Sequence, residues 1–81
     1  MKLYKCSTGR CNISGQKIRE LREAAEMSQE QLAAKIQLLD HSINQKAISR
    51  IETGERIVPD FELIYFSKVF RVSVCDLLGV K

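Results

Sequence analysis

Residues 28–56 read SQEQLAAKIQLLDHSINQKAISRIETGER. Ser28 stands three residues before Gln31, the spacing of a capping box that satisfies two unpaired amides at a helix start. Met27, just ahead, is placed to staple onto Leu32. Leu32, Ala33 and Ile36 recur on one helical face, so the spacing predicts a short helix ending around Gln37–Leu38. Leu38 to Ile43 follows as a loop, with Asp40, His41 and Ser42 as turn-type residues. Asn44 is a favoured N-cap for the next helix. In that helix Ala47, Ile48 and Ile51 point to the core. Gln45, Lys46, Ser49 and Arg50 share the other side by the i, i+3, i+4 rule. Thr53-Gly54 closes it, with Gly54 at the left-handed position after the last turn.

The stretch sits in a chain of 81 residues, room for one small domain and one modest core. Hydrophobic residues make up 44% and charged residues 28%, the balance of an ordinary globular protein. No apolar run approaches the roughly 20 residues of a membrane span, and the N-terminus has no long apolar stretch of a signal peptide. A cytoplasmic location is expected. Net charge is +3. Lys2, Lys5 and Arg10 carry the whole excess, because residues 14–81 hold equal numbers of acids and bases. Residues 1–13 are therefore a basic N-terminal extension, and 14–81 the domain proper. Such an extension either touches nucleic-acid phosphate or is a solvated tail.

Ahead of the central stretch, Ser14 is placed to cap a first helix. Ile18, Leu21 and Ala25 define its inner face, and it is expected to stop near Glu26–Met27. Beyond the stretch, Pro59 and Asp60 suit the start of a fourth helix. Leu63, Phe66 and Phe70 form its apolar stripe, widened by Phe61, Ile64 and Val69. Ser73 caps a last short helix with Val74, Leu77 and Leu78 apolar and Gly79 at its end. The expected architecture is all-α with five helices.

The cysteines are Cys6, Cys11 and Cys75. An odd number argues against a disulfide framework. Cys6 and Cys11 could pair, or share a metal with His41, but C-x4-C falls short of the four ligands of a structural zinc site. Free thiols are the simpler reading, with Cys75 a partly buried small hydrophobe. No metal and no cofactor is expected. One histidine and scattered surface carboxylates supply no nucleophile–base pair, so an enzyme is not expected.

A polar helix face is by itself ordinary. Its setting gives it meaning, since two capped short helices joined by a loop match the helix-turn-helix arrangement. A major groove admits one α-helix; Lys46 and Arg50 can donate to guanine O6 and N7, and Gln45 can pair with adenine. Between Gln45 and Arg50 there are two positive charges and no acid to repel phosphate.

Residues 14–79 resemble the phage-repressor/Cro-type (Xre-like) helix-turn-helix family. The matching pieces are IRELREAAEMSQEQLAAKI, INQKAISRIETGER, FELIYFSKVF and VSVCDLLG. The resemblance implies a compact lambda-repressor-like bundle of five helices. Helix 2 is then about Gln29–Gln37, and the recognition helix about Gln45–Thr53. It assigns base reading to Gln45, Lys46, Ser49 and Arg50. Phosphate contacts fall to Gln29, Asn44 and Arg56, with Gln29 also bracing Gln45. Arg22 and Glu52 match a partly buried structural salt bridge of the family. Two departures stand out. The loop 38–43 is longer than the family's turn, offering His41 and Ser42 as further phosphate contacts or as a partner surface. Arg71 stands where the family tends to have glycine.

The resemblance implies a transcriptional regulator of double-stranded DNA, simplest as a repressor that occupies a promoter. It would act as a homodimer on an inverted repeat, with no small-molecule ligand. The expected dimer surface is helices 4 and 5, with Tyr65, Val72, Val74 or Val80 exposed. The competing reading is a protein-interaction module on the same fold, such as an antitoxin or a mobile-element accessory protein.

Overall fold

The computed structural model describes residues 5–80. Met1–Tyr4, including basic Lys2, and Lys81 lie outside them. Five α-helices follow in order: α1 Gly15–Ala24, α2 Gln29–Gln37, α3 Gln45–Thr53, α4 Asp60–Phe70 and α5 Val74–Leu78. Helices α1 and α2 both pack on α3, α4 packs on α2 and α5, and α5 returns to α1.

Local chemistry sets most helix starts. Ser28 Oγ accepts from Gln31 N while Gln31 Oε1 accepts from Ser28 N, a closed capping box. Asn44 Oδ1 accepts from Ala47 N. Ser73 and Asp76 form a second capping box at α5. The start of α1 differs from expectation. Ser14 is itself in a helical conformation and its side chain makes no cap bond. Asn12 Oδ1 accepts from Gly15 N at 2.8 Å instead, so the cap falls two residues earlier.

Four helices end in one way. A residue just past the last turn is left-handed, and amides there fold back onto that turn, with the Schellman pair of bonds at α1, α3 and α5. At α3 the left-handed residue is Gly54, at φ 84°, and Gly79 does the same for α5 at φ 70°. At α1 it is Glu26 (φ 57°), so the helix ends at Ala24, short of the expected Glu26–Met27. At α4 it is Arg71 (φ 56°). Arginine therefore adopts the left-handed conformation for which the sequence resemblance implied glycine, with Val72 N bonded to Ser67 O. Helix α2 ends without this reversal and runs into the loop.

The core is Ile18, Leu32, Ala33, Ile36, Ile43, Ile48, Ile51, Leu63, Phe66 and Leu77, with Val69 and Phe70 packed on its edge. Phe61 and Ile64 were expected to widen the buried stripe of α4, but they are about half exposed. At 100° per residue they lie about 160° and 100° round from Leu63, away from the buried side. Cys75 is exposed rather than partly buried, because Val74, Leu77 and Leu78 take the inner side of the five-residue α5. Tyr65, Val72 and Val74 are half-buried against the core, so of the expected dimer residues only Val80 is clearly exposed.

The long loop is anchored at both ends. Leu39 N and Asp40 N both donate to Ile36 O, and Gln37 Nε2 donates to Ile43 O at 3.1 Å. Buried Ile43 pins the loop to the core. Ser42 donates through both its amide and its hydroxyl to Asp40 Oδ1, and these bonds hold Asp40 below the usual carboxylate range. Leu38, Leu39 and His41 stay on the surface. Among the described residues, no helix is long and apolar enough to cross a membrane.

Candidate nucleic-acid interface

Helix α3 carries the candidate reading face. Ile48 and Ile51 fix it to the core, which leaves Gln45, Lys46 and Arg50 exposed and Ser49 half-buried on the opposite side. With side chains an α-helix is about 10–12 Å across, which suits the width of a major groove.

A chain of hydrogen bonds orients the first of these residues. Arg22 grips Glu52 with two bonds, Nε to Oε2 at 2.7 Å and Nη2 to Oε1 at 3.0 Å. Glu52 is 5% exposed, and Arg22 Nη1 also donates to Met27 O at 2.8 Å. The bonds to Glu52 hold the Arg22 guanidinium above its ordinary pKa, against the effect of burial. Gln29 Nε2 donates to Glu52 Oε1 at 3.0 Å, and Gln45 Nε2 donates to Gln29 Oε1 at 2.7 Å. Because an ionised carboxylate only accepts, Gln29 must turn its amide nitrogen to Glu52 and its oxygen to Gln45. Gln45 then keeps its own oxygen and one N–H for a ligand. The acid nearest the reading face is thereby turned inward and neutralised.

Gln29 is the first residue of α2 and half-buried, so its side chain is largely spent on this chain of bonds. Its backbone lies in the first turn of a helix, where amides and the macrodipole favour anions. Asn44 is exposed, with its oxygen used as the cap and its amide nitrogen on the surface.

Arg56 departs from expectation. It is turned toward α4, where Nη1 and Nη2 bind Glu62 Oε1 and Oε2 at 2.6 and 3.0 Å. These bonds hold Arg56 above its ordinary pKa. Glu62 is 3% exposed, so withdrawing Arg56 to reach a phosphate would strand a buried carboxylate. In this structure Arg56 is the partner of buried Glu62. His41 is exposed in the loop, whereas the Ser42 hydroxyl is committed to Asp40.

Three residues at the end of α3 escaped sequence reasoning. Buried Asn12 donates from Nδ2 to Ile51 O (3.0 Å) and Arg56 O (2.7 Å). Arg10 Nη2 donates to Glu52 O at 3.0 Å. Gly15 packs so closely that a Cβ there would lie 2.1 Å from Ile51 O. The spacing Asn12-x-x-Gly15 was a readable cap signal, but nothing in the local sequence points to α3. Among the described residues, no group of three or more His, Cys, Asp or Glu side chains could hold a metal ion, and Cys6, Cys11 and Cys75 are free thiols.

A protein-family model described as helix-turn-helix (HTH_3) matches residues 18–77, most of the chain and all of the geometry just described except the segment before α1 and the first turn of that helix. No curated protein and no solved structure gave a match.

Proposed function

From the premise that the chain belongs to the HTH_3 helix-turn-helix family of the Cro/C1 (Xre) type, a DNA-binding family, we propose that it is a sequence-specific transcriptional regulator. It acts in the cytoplasm as a repressor that occupies a promoter, and it carries out no catalysis. Helix α3 enters the major groove. Gln45, Lys46, Ser49 and Arg50 meet base edges, while Asn44 and the α2 N-terminus at Gln29 meet phosphates. The observation that carries this reading is the bond chain Arg22–Glu52–Gln29–Gln45. It spends a buried ion pair and a second glutamine on aiming one exposed amide. A merely solvated helix face has no use for such aim. The aimed amide presents an acceptor and a donor together, the pattern that pairs with adenine N6 and N7.

The partner is a second copy on an inverted repeat. The surface that supports this is the outer face of α4, where Phe61 and Ile64 are 50% and 48% exposed. Asp60 and Lys68 lie equally far either side of Ile64 and are both exposed. A two-fold axis at Ile64 with antiparallel α4 helices sets each Asp60 against the other copy's Lys68, as an isologous contact requires. Substituting Ile64→Arg should leave a folded monomer. A dimer persisting in sedimentation would exclude this face.

Selection from a random duplex pool tests the whole reading. The expected result is an enriched palindromic motif, lost in Lys46→Ala and Arg50→Ala proteins that still melt like the parent. A pool with no enrichment would favour the protein-interaction module.

A further inference from the structure

The segment before α1 is docked on the end of the reading helix. Residues Cys6–Arg10 close a turn, with Cys6 N bonded to Arg10 O (2.8 Å) and Gly9 N to Cys6 O (2.9 Å). Cys11 N then donates to Gly54 O at 2.7 Å. The Arg10 side chain lies across Gly54, where an added Cβ would meet it at 2.8 Å. With Asn12, these groups occupy the carbonyls of Ile51, Glu52, Gly54 and Arg56. A helix C-terminus carries partial negative charge and repels anions. Here a guanidinium sits on it.

An open cleft of about 480 Å³ lies between this turn and α3. Lys5, Thr8 and Arg10 line one side, and Arg50 and Thr53 the other. Its acid, Glu55, accepts from the Thr53 hydroxyl at 2.8 Å. Arg50 belongs both to this cleft and to the reading face. Arg56, the cation the sequence offered at this end of α3, is held by Glu62. The docked segment brings other cations to the same place.

We propose that this cleft seats a DNA backbone phosphate flanking the bases read by α3, with Lys5 as its principal ligand and Arg50 beside it. Arg10 is a positioning residue that neutralises the helix end and holds the turn in place. The assignment rests on the DNA-binding reading above and extends it to the segment outside the family match.

The test compares the parent protein with Lys5→Ala on its selected duplex, as a function of salt. Lys35→Ala, whose lysine lies by Lys68 and Arg71 in a different cleft, is the control. Lys5 is exposed, so both variants should melt like the parent. Removing one phosphate contact should weaken binding about five- to tenfold near 0.1 M salt and make the salt dependence shallower by about 0.9 in log–log slope. The ranking of mutated operator sequences should not change. A Lys5→Ala slope equal to that of Lys35→Ala would overturn the assignment while leaving DNA binding intact. Failure of the parent protein to bind any duplex would overturn the DNA reading itself, and this assignment with it.

Discussion

Gln45 Nε2 donates to Gln29 Oε1 at 2.7 Å, joining the first residue of α3 to the first residue of α2. The two helices are thus tied at the ends where both N-termini can face an anion. Gln29 is bound in turn to Glu52, so the tie has a direction: its oxygen faces Gln45 and its nitrogen faces away.

The first prediction concerns that direction. Gln29→Ala leaves Gln45 free to rotate its amide, so its donor and acceptor can exchange places. Discrimination at the base pair read by Gln45 should fall by about 1–3 kcal/mol, the range for one bidentate pair. Phosphate-dependent affinity for unrelated sequence should change little. Competition with operators substituted one pair at a time measures this, and a uniform loss across all positions would refute the bracing role.

A second prediction follows the bond chain to its buried end. Arg22→Ala removes one partner of a pair whose side chains are 13% and 3% exposed, leaving the buried Glu52 carboxylate without its counter-charge and with Gln29 as its remaining side-chain partner. Breaking such a pair costs about 3–5 kcal/mol. For a domain of this size each kcal/mol shifts Tm by about 4–8 °C, so thermal unfolding should move down by well over 10 °C. An unchanged Tm would show the pair to be ornamental. Arg19–Glu23 on the same helix is more than half exposed, and its loss should scarcely register.

The third prediction separates space from conformation. Gly15 is helical, so alanine there is favoured by propensity. Its missing Cβ, however, makes room for Ile51 O and Asn12 Oδ1, which an alanine would meet at 2.1 and 2.7 Å. Backbone and a buried cap would both have to yield. Gly15→Ala should therefore destabilise by about 1–3 kcal/mol, the usual cost of overpacking. A stabilised variant in a denaturant titration would show that α1 can slide on α3.

What could be read from the chain was what neighbouring residues decide among themselves. Ser28 with Gln31, Asn44 with Ala47, and the glycines 54 and 79 are all local, and α2 and α3 fall on Gln29–Gln37 and Gln45–Thr53 as read. The Arg22–Glu52 geometry came only through family resemblance, since thirty residues separate the pair. The pairing of Arg56 with Glu62 was not legible, because Glu62 looks like any first-turn acid of a helix until the fold buries it. Arg10 and Asn12 were hidden for the same reason: their partners are main-chain carbonyls some forty residues on, which have no signature in sequence.

The last prediction concerns Arg71, at the position where the sequence resemblance implied glycine. Its backbone is left-handed at φ 56° and ψ 44°. A side chain in that conformation costs about 1–2 kcal/mol, which glycine avoids. Glycine in turn makes the unfolded chain more flexible, a loss of about 0.4–1 kcal/mol. The net effect of Arg71→Gly should be a gain of about 0.5–1 kcal/mol, a few degrees in Tm. Arg71 is exposed, so little packing is lost with its side chain. Glu26→Gly, at φ 57°, should act in the same direction. If Arg71→Gly melts lower than the parent, the exposed arginine makes a contribution at the end of α4 that outweighs its backbone strain.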